Sequence, residues 1–574
     1  MTRFPRIGRT LAAALLATAA GLPPALAAGT PTANGAVTTA IGSYLAGRFA
    51  QNQDDWPSAA RYMEQALAAD PGDLALMRRT FLLKLGEGKV DEAVVLARKL
   101  MGQDTSGPFA VTTVIADDLK AGRTDDARAL AQKMPRDGMA RYVTPLVEAW
   151  LLAAGRQTDA ALAALTPLLS VPGFKALHDL HAGLILDMAG RNDAAAETYA
   201  GVTSDDAPLR VVQIVGGFYE RTGRQDQARA LYEGFRERNP DSVMIEPNLA
   251  AMASGAKPPP AVADAREGLA EALFDLGSAI QHEGSADTAM LFGRIALHLR
   301  PDFALARLMI GDIQATRDHG EEAIATYASL QEHPVLGWAV RLRTADTLAS
   351  MERTDEAAAM LRRLADERPE RVDAAVRLGD VLRTAKRWDE AVEAYDTAVK
   401  RVGTPAERHW PILYARAIAY DRTNRWPQAE ADLKAALALR PEEPYLLNYL
   451  GYSWVDKGQN LAEARRMIER AVELRPRDGY IIDSLGWALY RLEDYEAAVA
   501  KLERAVELKP VDATINDHLG DAYWRVGRRN EARFQWQRAL RTAEEDDLKE
   551  QIREKLEKGL PERRTAGAEA PKPK

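Results

Sequence analysis

The sequence predicts an all-α protein, a solenoid of about fourteen helix–turn–helix units closed by a C-terminal capping helix. Three observations carry this. Alanine recurs ahead of an apolar run at Ala59, Ala93, Ala127, Ala160, Ala194, Ala228, Ala289, Ala323, Ala357, Ala391, Ala429, Ala464, Ala498 and Ala532. The spacing is 33 to 35 residues, apart from steps of 61 after Ala228 and 38 after Ala391; so regular a period marks stacked repeats. Within each unit, small and apolar residues return at three- and four-residue steps, the signature of two amphipathic helices. No stretch has the alternation of a half-buried strand.

One unit shows the layout. Leu485, Gly486 and Leu489 belong to a first helix, Ala498, Leu502 and Ala505 to a second, and Pro510 closes it. The next unit repeats this with Leu519, Gly520, Tyr523, Ala532, Trp536 and Ala539, and an earlier one with Leu276, Gly277, Ile280, Ala289, Gly293, Ala296 and Pro301. Turn residues such as Gly527–Asn530 separate the helices, and proline cannot continue one. Gly486 and Ala498 are small because the paired helices approach there. One pair cannot bury its own apolar face, but stacked neighbours can.

This pattern resembles the tetratricopeptide repeat family from about Ala40 to Leu540. The resemblance implies a right-handed superhelix whose first helices line a concave binding face. The "PPP" of Pro258–Pro260 cannot sit inside a helix and marks a linker, taken as 247–265, between repeat segments 40–246 and 266–542. A charged stretch with Leu548, Ile552 and Leu556 at four-residue steps predicts a capping helix within 543–560. The tail 561–574 and residues 28–39 read as flexible.

Composition narrows the function. The 574 residues carry a net charge of −8 with no basic block, which argues against nucleic-acid binding. With no cysteine, disulfides, thiolate metal sites and cysteine nucleophiles are excluded. Arg3, Arg6 and Arg9, the apolar run Leu11–Leu22 and the small residues Ala25 and Ala27 read as a signal peptide, 1–27, cleaved near Ala27. That predicts an exported, periplasmic protein with no transmembrane segment in the mature chain. No phosphate-binding glycine loop, nucleophile elbow or zinc-binding H-E-x-x-H is present. His178 and His181 have metal-compatible spacing but lack further ligands, and read as solvated surface residues. The adjacent Asp517 and His518 face different directions on a helix and make no dyad. The chain is expected to be no enzyme and to need no cofactor or metal.

Recognition is therefore the expected function. In "GYIIDSLGWALY", Ile482, Leu485, Gly486 and Leu489 form the core stripe. Tyr480, Asp483, Trp487 and Tyr490 fall on a second stripe that the core does not need. The preceding unit adds Tyr445, Asn448 and Tyr452. Arg491 follows, and the next unit adds Asp517, Asp521, Trp524 and Arg525. Trp454, Tyr523 and Trp536 fall at core positions. Aromatic walls with Asn, Asp and Arg suit a protein or extended-peptide partner. The C-terminal half also resembles exported bacterial repeat proteins that act as adaptors for carboxyl-terminal processing proteases of the cell envelope, which implies such a protease as partner. The chain lacks their lipid-anchored cysteine. A scaffold for polysaccharide synthesis or export machinery is the second reading, with Trp487 and Trp524 as sugar-stacking rings.

Overall fold

The structure, a computed structural model, describes residues 39–101, 107–240, 242–282 and 285–561. The signal-peptide and tail readings fall outside these residues, as does nearly all of 28–39. Among the described residues there are thirty α-helices, two short 3₁₀ turns and no strand. Twenty-eight of the α-helices form fourteen consecutive antiparallel pairs, beginning with Ala40–Asn52 and Trp56–Ala69 and ending with Ala513–Arg525 and Arg529–Thr542. The other two are Glu246–Ala253, which begins one residue before the stretch read as a linker, and the cap, Asp546–Lys558. None is long and apolar enough to cross a membrane.

The alanine period fixes the register of the pairs, with one correction. Twelve of the fourteen expected alanines are fully buried, but the other two sit one position late, at Ala161 and Ala195. Ala160 is exposed and Ala194 only half-buried. Runs of adjacent alanines, Ala160–Ala161 and Ala194–Ala196, hide the register, because neighbours of equal size are told apart only by which one the partner helix covers.

Four residues after the alanine comes a large side chain that fills the space over a first-helix glycine. A Cβ on Gly486 would stand 2.5 Å from Leu502 Cγ, and one on Gly520 2.4 Å from Trp536 Cδ1. Both contacts are far inside van der Waals distance, so glycine here is a packing requirement. The expected core stripe, Ile482, Leu485, Gly486 and Leu489, is buried, as are Trp454, Tyr523 and Trp536.

The 61-residue step has a structural cause. After Glu246–Ala253, an irregular stretch at 254–264 leads into the pair Ala265–His282 and Ala286–Leu299. This pair packs on first helices of the N-terminal segment: Leu74–Glu87, Pro108–Lys120, Ala140–Ala154 and Lys175–Met188. One buried apolar cluster accordingly runs from Leu67 to Ala306. Specific contacts lock the crossing. Arg210 donates through Nε and Nη2 to Glu271, 2.6 Å each, with Glu271 fully buried. Arg294 donates to the Gly86 carbonyl at 3.1 Å.

His181 belongs to the same junction. It is fully buried, accepts from Trp150 Nε1 at 3.3 Å on Nδ1, and places Nε2 3.2 Å from Asp275. The expectation of a solvated His181 is therefore corrected: the crossing pair covers the face on which it lies. His178 is largely buried beside Asp179.

Candidate functional site

Two different surfaces follow along the first helices of the C-terminal segment. The residue after the small first-helix position (Gly311, Ala345, Gly379) is Asp312, Asp346 and Asp380. Each pairs with an arginine: Asp312 with Arg343 at 3.0 Å, Asp346 with Arg377, and Asp380 with Arg383 at 3.3 Å. This ladder neutralises itself. At Gly451 and Gly486 the same position becomes Tyr452 and Trp487, and the surface changes from charged to aromatic.

The aromatic strip is built by Trp410–Arg422, Pro444–Asp456, Gly479–Arg491 and Ala513–Arg525. The side chain of Asp478 starts the third of these, accepting from Tyr480 N at 3.0 Å, and that of Asp512 starts the fourth, accepting from Ile515 N at 3.0 Å. Such caps satisfy amides that have no intrahelical partner. Trp487 stacks on Tyr490, with centroids 4.8 Å apart and planes 8° from parallel, and on His518 of the next unit at 4.1 Å and 15°. His518 Nδ1 lies 3.0 and 3.1 Å from the two Asp483 oxygens. Arg525 Nε donates to Tyr490 OH at 3.2 Å. Asp483, Trp487, Tyr490 and Arg525 are thus brought together across a unit boundary, with His518 at their centre.

His518 therefore has the partner that its neighbour Asp517 does not supply. Asp483 lies 35 residues earlier, on a different helix, beyond the reach of spacing within one helix. A repeat period of 34 to 35 was the available signal: a residue and its counterpart one unit on are spatial neighbours.

The other expected residues spread around this centre. Tyr452 is half-buried; burial, then the Asp483 carboxylate, pushes its phenol up to about 12. Asn448 has a buried Oδ1 with no hydrogen-bond partner. Tyr445 lies under Arg475 at 5.9 Å. Arg491 is exposed and donates to the Asp456 carbonyl at 3.2 Å. Tyr480 stands at the edge, 48% exposed, under Lys509. Two tyrosines missed in the sequence extend the strip: Tyr414 and Tyr449 meet edge to face at 5.7 Å.

Asp483, Asp517, Asp521 and Trp524 do not line an open groove. All four are buried. Lys555 of the cap reaches Asp517 at 2.6 Å and Asp521 at 2.9 Å. Trp536 Nε1 donates to Asp521 Oδ1 at 2.9 Å. The chain leaving the cap passes so near Trp524 that a Cβ on Gly559 would fall 2.0 Å from its ring. The last unit has no successor, so the cap helix takes the place where the next first helix would pack.

Burial disfavours a charged His518, but the Asp483 carboxylate, its hydrogen bond, and the charges of Asp517 and Asp521 outweigh it, so the imidazole pKa is raised. A raised folded-state pKa gives stability that is complete below the unfolded value near 6.5 and is lost as pH climbs through the folded value. Removing the carboxylate should reverse the balance. In Asp483→Asn, the His518 titration followed by imidazole NMR resonances is expected at lower pH than in the parent; an unmoved midpoint would show that Asp483 does not set it.

Among the described residues no cluster of three or more histidine, aspartate or glutamate side chains forms a metal site.

Family models described as tetratricopeptide or TPR repeats match residues 216–242, 342–404, 414–479 and 486–527. The TPR repeat-containing protein PA4667 of Pseudomonas aeruginosa is 29% identical over 157 residues, covering 26% of this chain and 25% of its own. The aligned part thus spans about a quarter of that relative's length. The solved APC/C hetero-tetramer Cut9–Hcn1 is similar over 91% of this chain and 97% of the matched chain (16% identity, TM-score 0.37). Yeast Tom70 is similar over 90% and 95% (15% identity, TM-score 0.29). YrrB, described as a TPR protein with an unusual peptide-binding site, is similar over 34% and 97% (19% identity, TM-score 0.27). With the period, the buried alanines and the paired helices, the repeat-model matches identify the chain as a tetratricopeptide-repeat protein.

Proposed function

We propose that this protein is an exported scaffold or adaptor that binds a protein or an extended peptide segment along the aromatic strip of its C-terminal repeats. The observation that carries the reading is Asn448 beside the strip: a buried amide oxygen with no partner, next to half-buried aromatics on neighbouring first helices. An unpaired buried acceptor costs free energy unless a donor arrives, and the backbone N–H of an extended peptide supplies one. The self-paired ladder at Asp312–Arg383 leaves no free charge for a partner to neutralise, and the crossing pair occupies first helices of the N-terminal segment. The strip is taken up by neither.

The leader Arg3–Ala27 supports export to a periplasm, and the resemblance of the C-terminal half supports an adaptor for an envelope carboxyl-terminal processing protease. The polysaccharide-scaffold reading is weaker, since Trp524 is buried and Trp487 is already stacked on Tyr490 and His518.

Affinity capture of the tagged protein from its own envelope fraction tests the proposal. The double variant Trp487→Ala/Tyr490→Ala is expected to lose at least about tenfold of the captured partner while keeping its helical circular dichroism. Tyr480→Ala, at the edge, should capture normally. A folded double variant that retains its partners would remove the strip from the binding site. Reproducible partners that never include a processing protease would remove the adaptor role.

A further inference from the structure

The two ends of the solenoid are finished differently. The C-terminal end is covered by Asp546–Lys558, a helix dense in charge. The N-terminal end is the helix Ala40–Asn52, which has no preceding pair among the described residues. Ile41, Leu45 and Phe49 recur every fourth residue on it, so they share one face. They are 72%, 60% and 68% exposed, and account for three of the eight large exposed hydrophobics among the described residues. The helix holds a single charged residue, Arg48, which is turned to Tyr44 OH at 3.2 Å. Gly42 and Ala46 flank this face on one side and let another helix axis come close there.

We propose that a second copy of this chain packs on this face, helix Ala40–Asn52 against its equivalent across a two-fold axis. Head-to-tail stacking is blocked, because the cap already fills the far end; a like-with-like contact closes on itself and stops at two. By composition residues 28–38, "AGTPTANGAVT", hold one large apolar side chain, Val37, against three on the helix face. The exposed stripe is roughly 400 Å² per copy, so with its flanks the contact buries on the order of 1,000 Å² in total, the low end of specific interfaces. The dimer is therefore concentration-dependent. It leaves both C-terminal strips free, so the scaffold is bivalent and gains avidity for a partner that presents two segments.

The test is sedimentation and light scattering across about 1–100 μM, on residues 28–574 and on the full chain. Mass doubling is expected for both across this range, and loss of the dimer in Ile41→Glu/Leu45→Glu/Phe49→Glu with the melting curve unchanged. Because the chain has no cysteine, Leu45→Cys gives a second readout. It should form a disulfide-linked dimer under mild oxidation, while Val511→Cys, at a more exposed position (71% against 60%), should not. A monomer throughout with no Leu45→Cys cross-link overturns the proposal, as does a dimer that survives the triple variant. A full chain that stays monomeric while 28–574 dimerises assigns the face to Leu11–Leu22 instead, and also overturns it.

Discussion

Trp150→Ala is expected to cost about 3–5 kcal/mol and to loosen the crossing pair from the N-terminal repeats. Trp150 is fully buried on Ala140–Ala154, with its ring edge to face with His181 at 5.9 Å and 89°. The crossing helix Ala265–His282 passes directly over it: a Cβ on Gly268 would lie 2.1 Å from Trp150 Cζ3. Truncating the indole removes packing from both sides at once and strips His181 Nδ1 of its donor. The reciprocal variant, Gly268→Leu, has no room and must push the helix away; overpacking of this kind costs roughly 1–3 kcal/mol and more where a ring cannot shift. Urea unfolding measures the loss. Hydrogen exchange locates it, with amides of 265–299 expected to lose protection before those of 479–542. If both variants melt like the parent, the crossing pair is not seated on Trp150 as described.

The crossing pair divides the labour of the chain. First helices of the N-terminal repeats are consumed in holding the solenoid's own seventh pair, through the continuous cluster Leu67–Ala306 and the buried Arg210–Glu271 pair. The C-terminal repeats keep their first-helix faces, and there the chemistry passes from the self-neutralised aspartate–arginine ladder to the aromatic strip.

How much of this could be read in advance depended on how local its cause is. The fold was legible because Ala498 and Gly486 answer a demand made inside one unit: two helices at close approach admit only small residues. The core positions of Trp454, Tyr523 and Trp536 follow from the same local register. The 61-residue step after Ala228 announced an interruption, but nothing within Gly255–Pro260 says that the following pair turns back onto Trp150 and His181. The strip was half legible. Asp483, Trp487 and Tyr490 share a helical face by spacing alone, so their proximity followed directly. That His518 completes them depends on stacking between units. That Asp517, Asp521 and Trp524 are shut away depends on which side chains of the cap reach them, and its charged composition does not tell. Lys555 looks like any other exposed lysine in "REKLEK" until the two carboxylates beneath it are seen.

Lys555→Met is therefore expected to destabilise the last repeat far more than loss of a surface lysine would. Its ammonium bridges Asp517 and Asp521, whose side chains are 8% and 6% exposed. Removing one member of a buried charge group leaves the rest uncompensated, at a cost of about 3–5 kcal/mol. The cost should depend on pH in a definite direction. Burial, then the neighbouring Asp517 charge, raises the Asp521 carboxyl to about 6 even with Lys555 opposing the shift. A carboxyl whose pKa is raised on folding binds its proton more tightly in the folded state, so its contribution to stability falls as pH rises from the unfolded value near 4 through about 6. Without Lys555 the Asp521 pKa climbs further and the falling window extends above 6. The variant should thus lie closest to the parent near pH 5 and fall furthest behind near pH 8. Thermal melts at the two pH values measure the difference, and hydrogen exchange of 513–558 assigns it to the cap. A destabilisation of equal size at both pH values would mean that lost packing of the lysine stem, rather than the uncompensated pair of buried carboxylates, is the cause. The double variant Lys555→Met/Asp521→Asn separates the two: it should recover most of the loss at pH 8 if charge is responsible, because the asparagine amide keeps an acceptor for Trp536 Nε1 without the buried negative charge.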